Sequence, residues 1–287
     1  MTSRIGVIAD SSGCLADTVI ERLGIRIVPL HLNIGDEQII DGAVEPRDLF
    51  KKIKAVGLAP RTAAPSPGEF LTAFRAARDA GAEAALCLTL PSRYSGTYAA
   101  AVAAAALSRE ELAGFPVRVV DTGALAAAHG FAIEAAALAL EDEADIVEAE
   151  ARAIQSGAES VLIGAIDSVG YLARSGRVPW LVGRTADFVG IKPVISFAEG
   201  RPRMVGRART MERAIGTVVR LVAEDLGALS MPEIVILHAA SKEWAEKLAE
   251  ATRKDIPSGS LTITEVSSVM AAHTGPGFIA LAGRHSG

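Results

Sequence analysis

Short runs of β-branched and other apolar residues alternate with longer Ala-rich stretches through the first half of the chain. That alternation predicts a parallel α/β sheet. The strand candidates are Arg4 to Ala9, Ile25 to Ile34, Ala84 to Leu90 and Val117 to Val120. Ser66-Pro67-Gly68-Glu69 carries a full set of helix-start signals: a capping hydroxyl, proline at the first helical position and a glutamate that closes a capping box. It predicts a helix from Pro67 to about Asp79, and a second Ala-rich helix is expected over Tyr98 to Leu107.

The second half has a different rhythm. Strands are expected at Ser160 to Ile166 and Ile191 to Phe197, followed by a hairpin through Ala198-Glu199-Gly200-Arg201 and a helix from Met211 to about Leu226. Glu233 to His238 and Leu261 to Val266 flank a helix opened by Ser241, and a glycine-rich loop precedes a last strand, Phe278 to Ala282. The expected fold class is therefore α/β with two domains, an N-terminal parallel α/β sheet domain over 1–155 and a C-terminal mixed α/β domain over 156–287. The boundary is placed near the acidic segment Glu141 to Gln155.

Composition narrows the function classes. Half of the 287 residues are apolar but only 5% are aromatic, so Ala, Val, Leu and Ile must build the core. A net charge of −5 argues against nucleic acid as a partner, since a phosphate-backbone binder needs a basic face. The most apolar stretch, Val117 to Leu140, is interrupted by Asp121, His129 and Glu134, so no stable membrane insertion is expected. The first residues, MTSRIGVIADSS, lack the apolar core of a signal peptide, and a cytoplasmic location is the expectation. Cys14 and Cys87 have neither a short mutual spacing nor a nearby His pair, and the acidic residues Asp10, Asp36, Asp41 and Asp121 have unspecific spacings. No metal and no cofactor are expected.

Three polar segments are candidates for chemistry. Arg61 to Ser66 precedes the capped helix; spacing alone leaves it open between a plain connection and a ligand loop. Pro91 to Thr97 follows a buried strand and opens a helix, so Ser95, Gly96 and Thr97 would offer hydroxyls and free backbone N–H groups to an anion, or Ser95 would simply cap the helix. His273-Thr274-Gly275-Pro276-Gly277 is a stiff loop that fixes the angle of one imidazole, for structure or for a ligand. No G-x-S-x-G, G-x-x-x-x-G-K-[ST] or G-x-G-x-x-G is present in these segments, which weakens hydrolase and nucleotide-binding readings.

In order along the chain, Ile8-Ala9-Asp10-Ser11-Ser12, Val28-Pro29-Leu30, Asp41-Gly42, Thr62 to Pro67, Ser95-Gly96-Thr97-Tyr98, Val120-Asp121-Thr122, Gly176-Arg177, Ile191-Lys192-Pro193, Gly200, Arg209-Thr210 and His273 to Gly277 resemble the DegV family of fatty-acid-binding proteins, the binding subunits of bacterial fatty acid kinase. The resemblance runs from Ile5 to about Leu281. It implies a two-domain protein that is not itself an enzyme and needs no cofactor. Its ligand would be one long-chain fatty acid in an apolar tunnel, with the carboxylate held by Thr62, Ser95 and His273 beside Gly96 and presented to a separate fatty acid kinase catalytic subunit. The acyl phosphate product would feed phospholipid metabolism. Arg174 and Arg177 are a candidate partner surface. The sequence departs from the family's usual pattern at Gly13-Cys14, at Ala63-Ala64, at Tyr94 and at Ala99. The competing readings are a serine-type acyl hydrolase using Ser95 and His273, and a protein-interaction module.

Overall fold

The computed structural model describes residues 5–181, 183–227 and 231–284. Its elements in chain order begin with β1 (Ile5–Asp10), α1 (Asp17–Arg22), β2 (Arg26–Val28), β3 (His31–Ile34), β4 (Glu37–Ile40), α2 (Pro46–Val56) and β5 (Arg61–Ala63). Next come α3 (Pro67–Asp79), β6 (Ala84–Thr89), α4 (Thr97–Glu111), β7 (Val117–Asp121), α5 (Ala126–Glu141) and α6 (Ile146–Glu159). Then follow β8 (Val161–Ala165), α7 (Gly170–Ser175), β9 (Lys192–Ser196), β10 (Arg203–Ala208), α8 (Met211–Leu226), β11 (Glu233–His238), α9 (Lys242–Asp255), β12 (Ser260–Glu265), α10 (Ser268–Thr274) and β13 (Ile279–Arg284).

The chain forms two compact units, Met1–His31 with Ala63–Ala158, and Leu32–Thr62 with Glu159–Gly287. The second unit thus takes in a segment that a linear division at 155/156 leaves with the first. Pro29 is the local reason the chain turns aside. Proline offers no amide to a sheet ladder, and the Leu30 amide goes instead to the Ser11 hydroxyl at 3.1 Å. The stretch Ile25 to Ile34 is accordingly not one strand. β2 pairs with β1, while β3 joins a three-stranded sheet of order β4-β3-β5.

In the first unit the sheet order is β2-β1-β6-β7 and every pairing is parallel. Both faces are covered, so alternate residues of one strand feed opposite cores. Leu86 and Leu88 of β6 pack with Ile133, Ala136 and Ala153 of α5 and α6. Ala85 and Cys87 pack with Phe70, Phe74 and Ala104 of α3 and α4. The capping box at Ser66 is formed, with the Ser66 hydroxyl accepting from the Glu69 amide and the Glu69 carboxylate accepting from the Ser66 amide.

The second unit holds a six-stranded sheet of order β10-β9-β8-β13-β11-β12. Only β11 and β12 pair in parallel; the other neighbours are antiparallel. Helices α8 and α9 seal one face, where Val218, Val222 and Leu248 meet Ile163, Ile236 and Leu281. The acidic segment expected at the boundary is helical from Ile146 onward, as α6. Among the described residues no helix is long and apolar enough to cross a membrane.

One close approach governs the packing of α5. A Cβ on Gly130 would fall on the carbonyl oxygen of Gly13, in the turn after β1, well inside van der Waals contact. Alanine is the better helix former by up to about 1 kcal/mol, yet moving backbone apart in a packed core costs about 1–3 kcal/mol. Gly130→Ala should therefore lower the urea midpoint of unfolding despite its helix propensity. An unchanged or higher midpoint would show that α5 can slide away freely.

Candidate functional site

The second unit brings two of the candidate residues into contact. Thr62, in the middle of β5, lies 3.0 Å through its hydroxyl from Nε2 of His273. His273 does not sit in a loop; it lies in the last turn of the short helix α10, which Ser267 caps and Gly275 ends. Gly275 has φ +78°, and a Cβ there would come within 2.7 Å of the Tyr171 ring. Glycine is thus needed both for the turn and for the approach. The start of α10 is held from a distance in sequence. Asp41, buried after β4, accepts from the Ser268 hydroxyl at 3.0 Å and the Val269 amide at 2.8 Å.

Thr62 and His273 open onto a cavity of about 320 Å³ whose lining includes Arg61, Tyr171, Arg174 and Arg177. Arg174 stacks its guanidinium 4.8 Å from the Tyr171 ring centre, and Arg177 donates from Nη1 to the Ser175 carbonyl at 2.6 Å. Among the described residues none of the three arginines forms an ion pair with a carboxylate. The two residues singled out as a partner surface therefore line the same cavity as the Thr62–His273 pair. Arg61 opens the first candidate segment, whereas Tyr171 was not anticipated. For Tyr171 the cue is the three-residue spacing of 171, 174 and 177; for Asp41, which lies in a motif, the partner was not legible, because Ser268 lies 227 residues away.

His273 is neutral near pH 7. Burial, and after it the Arg177 guanidinium, lower its pKa from 6.5 to about 4. With a neutral ring, the Thr62–His273 contact uses one hydrogen and leaves one. If the hydroxyl donates to Nε2, the Nδ1–H remains; if Nε2–H donates, the Thr62 O–H remains. Either way one neutral donor is left for an acceptor.

Ser95 and Gly96 belong to the first unit, in the loop between β6 and α4. The Ser95 hydroxyl lies 2.7 Å from the Thr97 hydroxyl and accepts the Thr97 amide at 3.3 Å. Ser95 is partly buried and Gly96 exposed, at the amino end of the 15-residue helix α4. The loop follows the carboxyl end of a parallel strand, where amide donors and the helix dipole favour an anion. A second cavity, about 520 Å³, lies at the opposite, amino ends of β6 and β7 beside Ala84, Val117 and Leu140. Among the described residues no three His, Cys, Asp or Glu side chains are grouped as metal ligands would be.

A family profile described as "Uncharacterised protein, DegV family" matches residues 4–284. The chain belongs to the DegV family. A DegV domain-containing protein of Streptomyces coelicolor is 32% identical over 281 residues, spanning 97% of this chain and 98% of its own length. Among solved structures, a DegV family protein from Thermus thermophilus, described for its fatty acid binding, superposes with a TM-score of 0.88 at 26% identity, covering 98% of this chain and 99% of that one. A DegV lipid binding protein from Thermotoga maritima gives 0.86 at 25% identity and 98% of both chains. The two-domain mixed α/β fold expected from the sequence is thus the DegV fold.

The state of His273 can be read by NMR. Its folded pKa lies below the unfolded value, so as pH falls the unfolded chain takes the proton first. The stability linked to this residue is complete above pH 6.5 and is lost between 6.5 and about 4. The His273 ring should titrate near 4, and Arg177→Gln should raise that midpoint while leaving it under 6.5, because burial is the larger cause. A parent midpoint at 6.5 would contradict this.

Proposed function

We propose that the chain carries one long-chain fatty acid, with the acyl chain in an apolar tunnel and the carboxylate bound by Thr62, Ser95, Gly96 and His273. The observation that carries this reading is the Thr62–His273 pair at 3.0 Å, with its one spare neutral donor beside a cavity rimmed by arginines. A fatty carboxylate needs a few donors at one end of an otherwise apolar site. Fatty acid binding by the Thermus relative, similar over nearly the whole chain, supports the same reading.

In this role the chain does no chemistry of its own. It presents the carboxylate to a separate ATP-using fatty acid kinase, which forms the acyl phosphate for phospholipid metabolism. Arg174 and Arg177 serve as the surface the kinase meets. The missing nucleotide-phosphate loop in the sequence supports that division of labour. The setting is cytoplasmic.

Protein purified from a bacterial host should release a fatty acid of roughly C14 to C18 into organic solvent, near one per chain, since each buried CH₂ is worth about 0.8 kcal/mol. Mass spectrometry that finds only nucleotides or sugars would overturn the carrier reading. ATP consumption should depend on both fatty acid and an added kinase.

Ser95→Ala removes a hydrogen bond to a charged acceptor, which costs about 1.5–3 kcal/mol, or roughly tenfold to a hundredfold in affinity. The free acid should lose that affinity and its methyl ester should not; His273→Ala should behave likewise. Turnover of a chromogenic ester that Ser95→Ala abolishes would instead make the chain an acyl hydrolase.

A further inference from the structure

The loop that carries Ser95 is gripped by two carboxylates from the strands on either side of β6. Asp10, at the end of β1, accepts the Leu90 amide on Oδ2 at 2.7 Å. Asp121, at the end of β7, accepts the Ser92 amide on Oδ2 at 2.9 Å and the Gly123 amide on Oδ1 at 3.0 Å. Little slack is left between Ser92 and Ser95. The Tyr94 amide bonds back to the Pro91 carbonyl at 3.0 Å, closing a turn, and the Ser95 and Thr97 hydroxyls meet as α4 begins.

The two anchors differ in what else they do. Asp10 is fully buried and also binds the amide and hydroxyl of Ser12, so it belongs to the core of the first unit. Asp121 is only partly buried, and among the described residues it has no ion-pair partner. Its two oxygens are each spent on a main-chain amide, one in its own turn and one in the Ser95 loop. A carboxylate that accepts amides makes bonds roughly twice as strong as neutral pairs do. It is thus well suited to fixing a loop that no helix or sheet ladder holds.

We propose that Asp121 is a positioning residue for ligand binding: by holding the Ser92 amide it sets where the Ser95 hydroxyl stands, and so how well the first unit receives a carboxylate. This rests on the reading of Ser95 as a carboxylate donor. Asparagine at this position would offer one acceptor to two amides, so it restores one anchor and leaves the other facing an N–H donor.

The test is a double-mutant cycle on the full chain stripped of lipid, with palmitic acid and methyl palmitate as calorimetric probes. Asp121→Ala should weaken palmitic acid roughly tenfold and leave the ester within about twofold. In a Ser95→Ala background it should cause no further loss, because the residues act as one unit. Asp121→Asn should fall between parent and alanine. Equal weakening of acid and ester, or full additivity with Ser95→Ala, would overturn the role and mark Asp121 as general scaffolding. A large Ser95→Ala effect with no Asp121→Ala effect overturns the positioning role alone. A Ser95→Ala protein that binds palmitic acid like the parent overturns the reading of Ser95 and this role with it. If the alanine variant does not fold, the asparagine variant decides by the same comparisons.

Discussion

A carboxylate shut away from water at the carboxyl end of β1 sets the terms for the upper edge of the first unit. Burial works against the charge of Asp10, but His129, Ser12 and the Leu90 amide outweigh it and hold the pKa below the usual carboxylate range. A buried charge tolerates no loss of its donors. The Asp10 network therefore fixes the turn after β1 through Ser12, and the first residue of the Ser95 loop through Leu90. His129, fully buried on α5, stands 3.6 Å from Asp10 through Nε2 and 2.9 Å from the Thr122 hydroxyl through Nδ1. Thr122 in turn donates to the Thr89 carbonyl. Three strand ends and one helix are thus locked together through groups that a single solvent-exposed residue would not need.

The second unit handles charge in the opposite way. The imidazole of His273 is kept neutral, while Arg61, Arg174 and Arg177 bring positive charge to the cavity it lines. Neutral donors hold a carboxylate less tightly than an imidazolium would. Cationic groups at the rim still favour the approach of an anion.

Local signals were the legible ones. The capping box at Ser66 gave the limits of α3, and the continuous apolar run of β6 announced a strand covered on both faces. The Met211 helix ends where its amphipathic pattern does. Two things were hidden. The split at Pro29 was written in a single residue, but the destination of β3 depended on partners elsewhere. The placement of His273 on a helix was masked by the glycines after it, because α10 is only seven residues long and a run that short shows no clear periodicity. Of the candidate residues, Thr62, Ser95 and His273 stood out by motif. Asp41 and Asp121 lie in motifs too, but what they hold was not legible, since an aspartate that accepts amides far away in sequence looks like any turn aspartate.

The order of strands in the second unit bears on how it is made. β13 lies at the middle of the six-stranded sheet, hydrogen-bonded to β8 on one side and β11 on the other. During synthesis β8, β9 and β10 emerge early, and β11 and β12 much later, yet the two groups share no edge until Ile279–Arg284 has been added. A nascent chain stalled before that strand would carry two part-sheets with open edges, each prone to pair with a neighbouring polypeptide. The six-stranded sheet is continuous only once this last strand is in place.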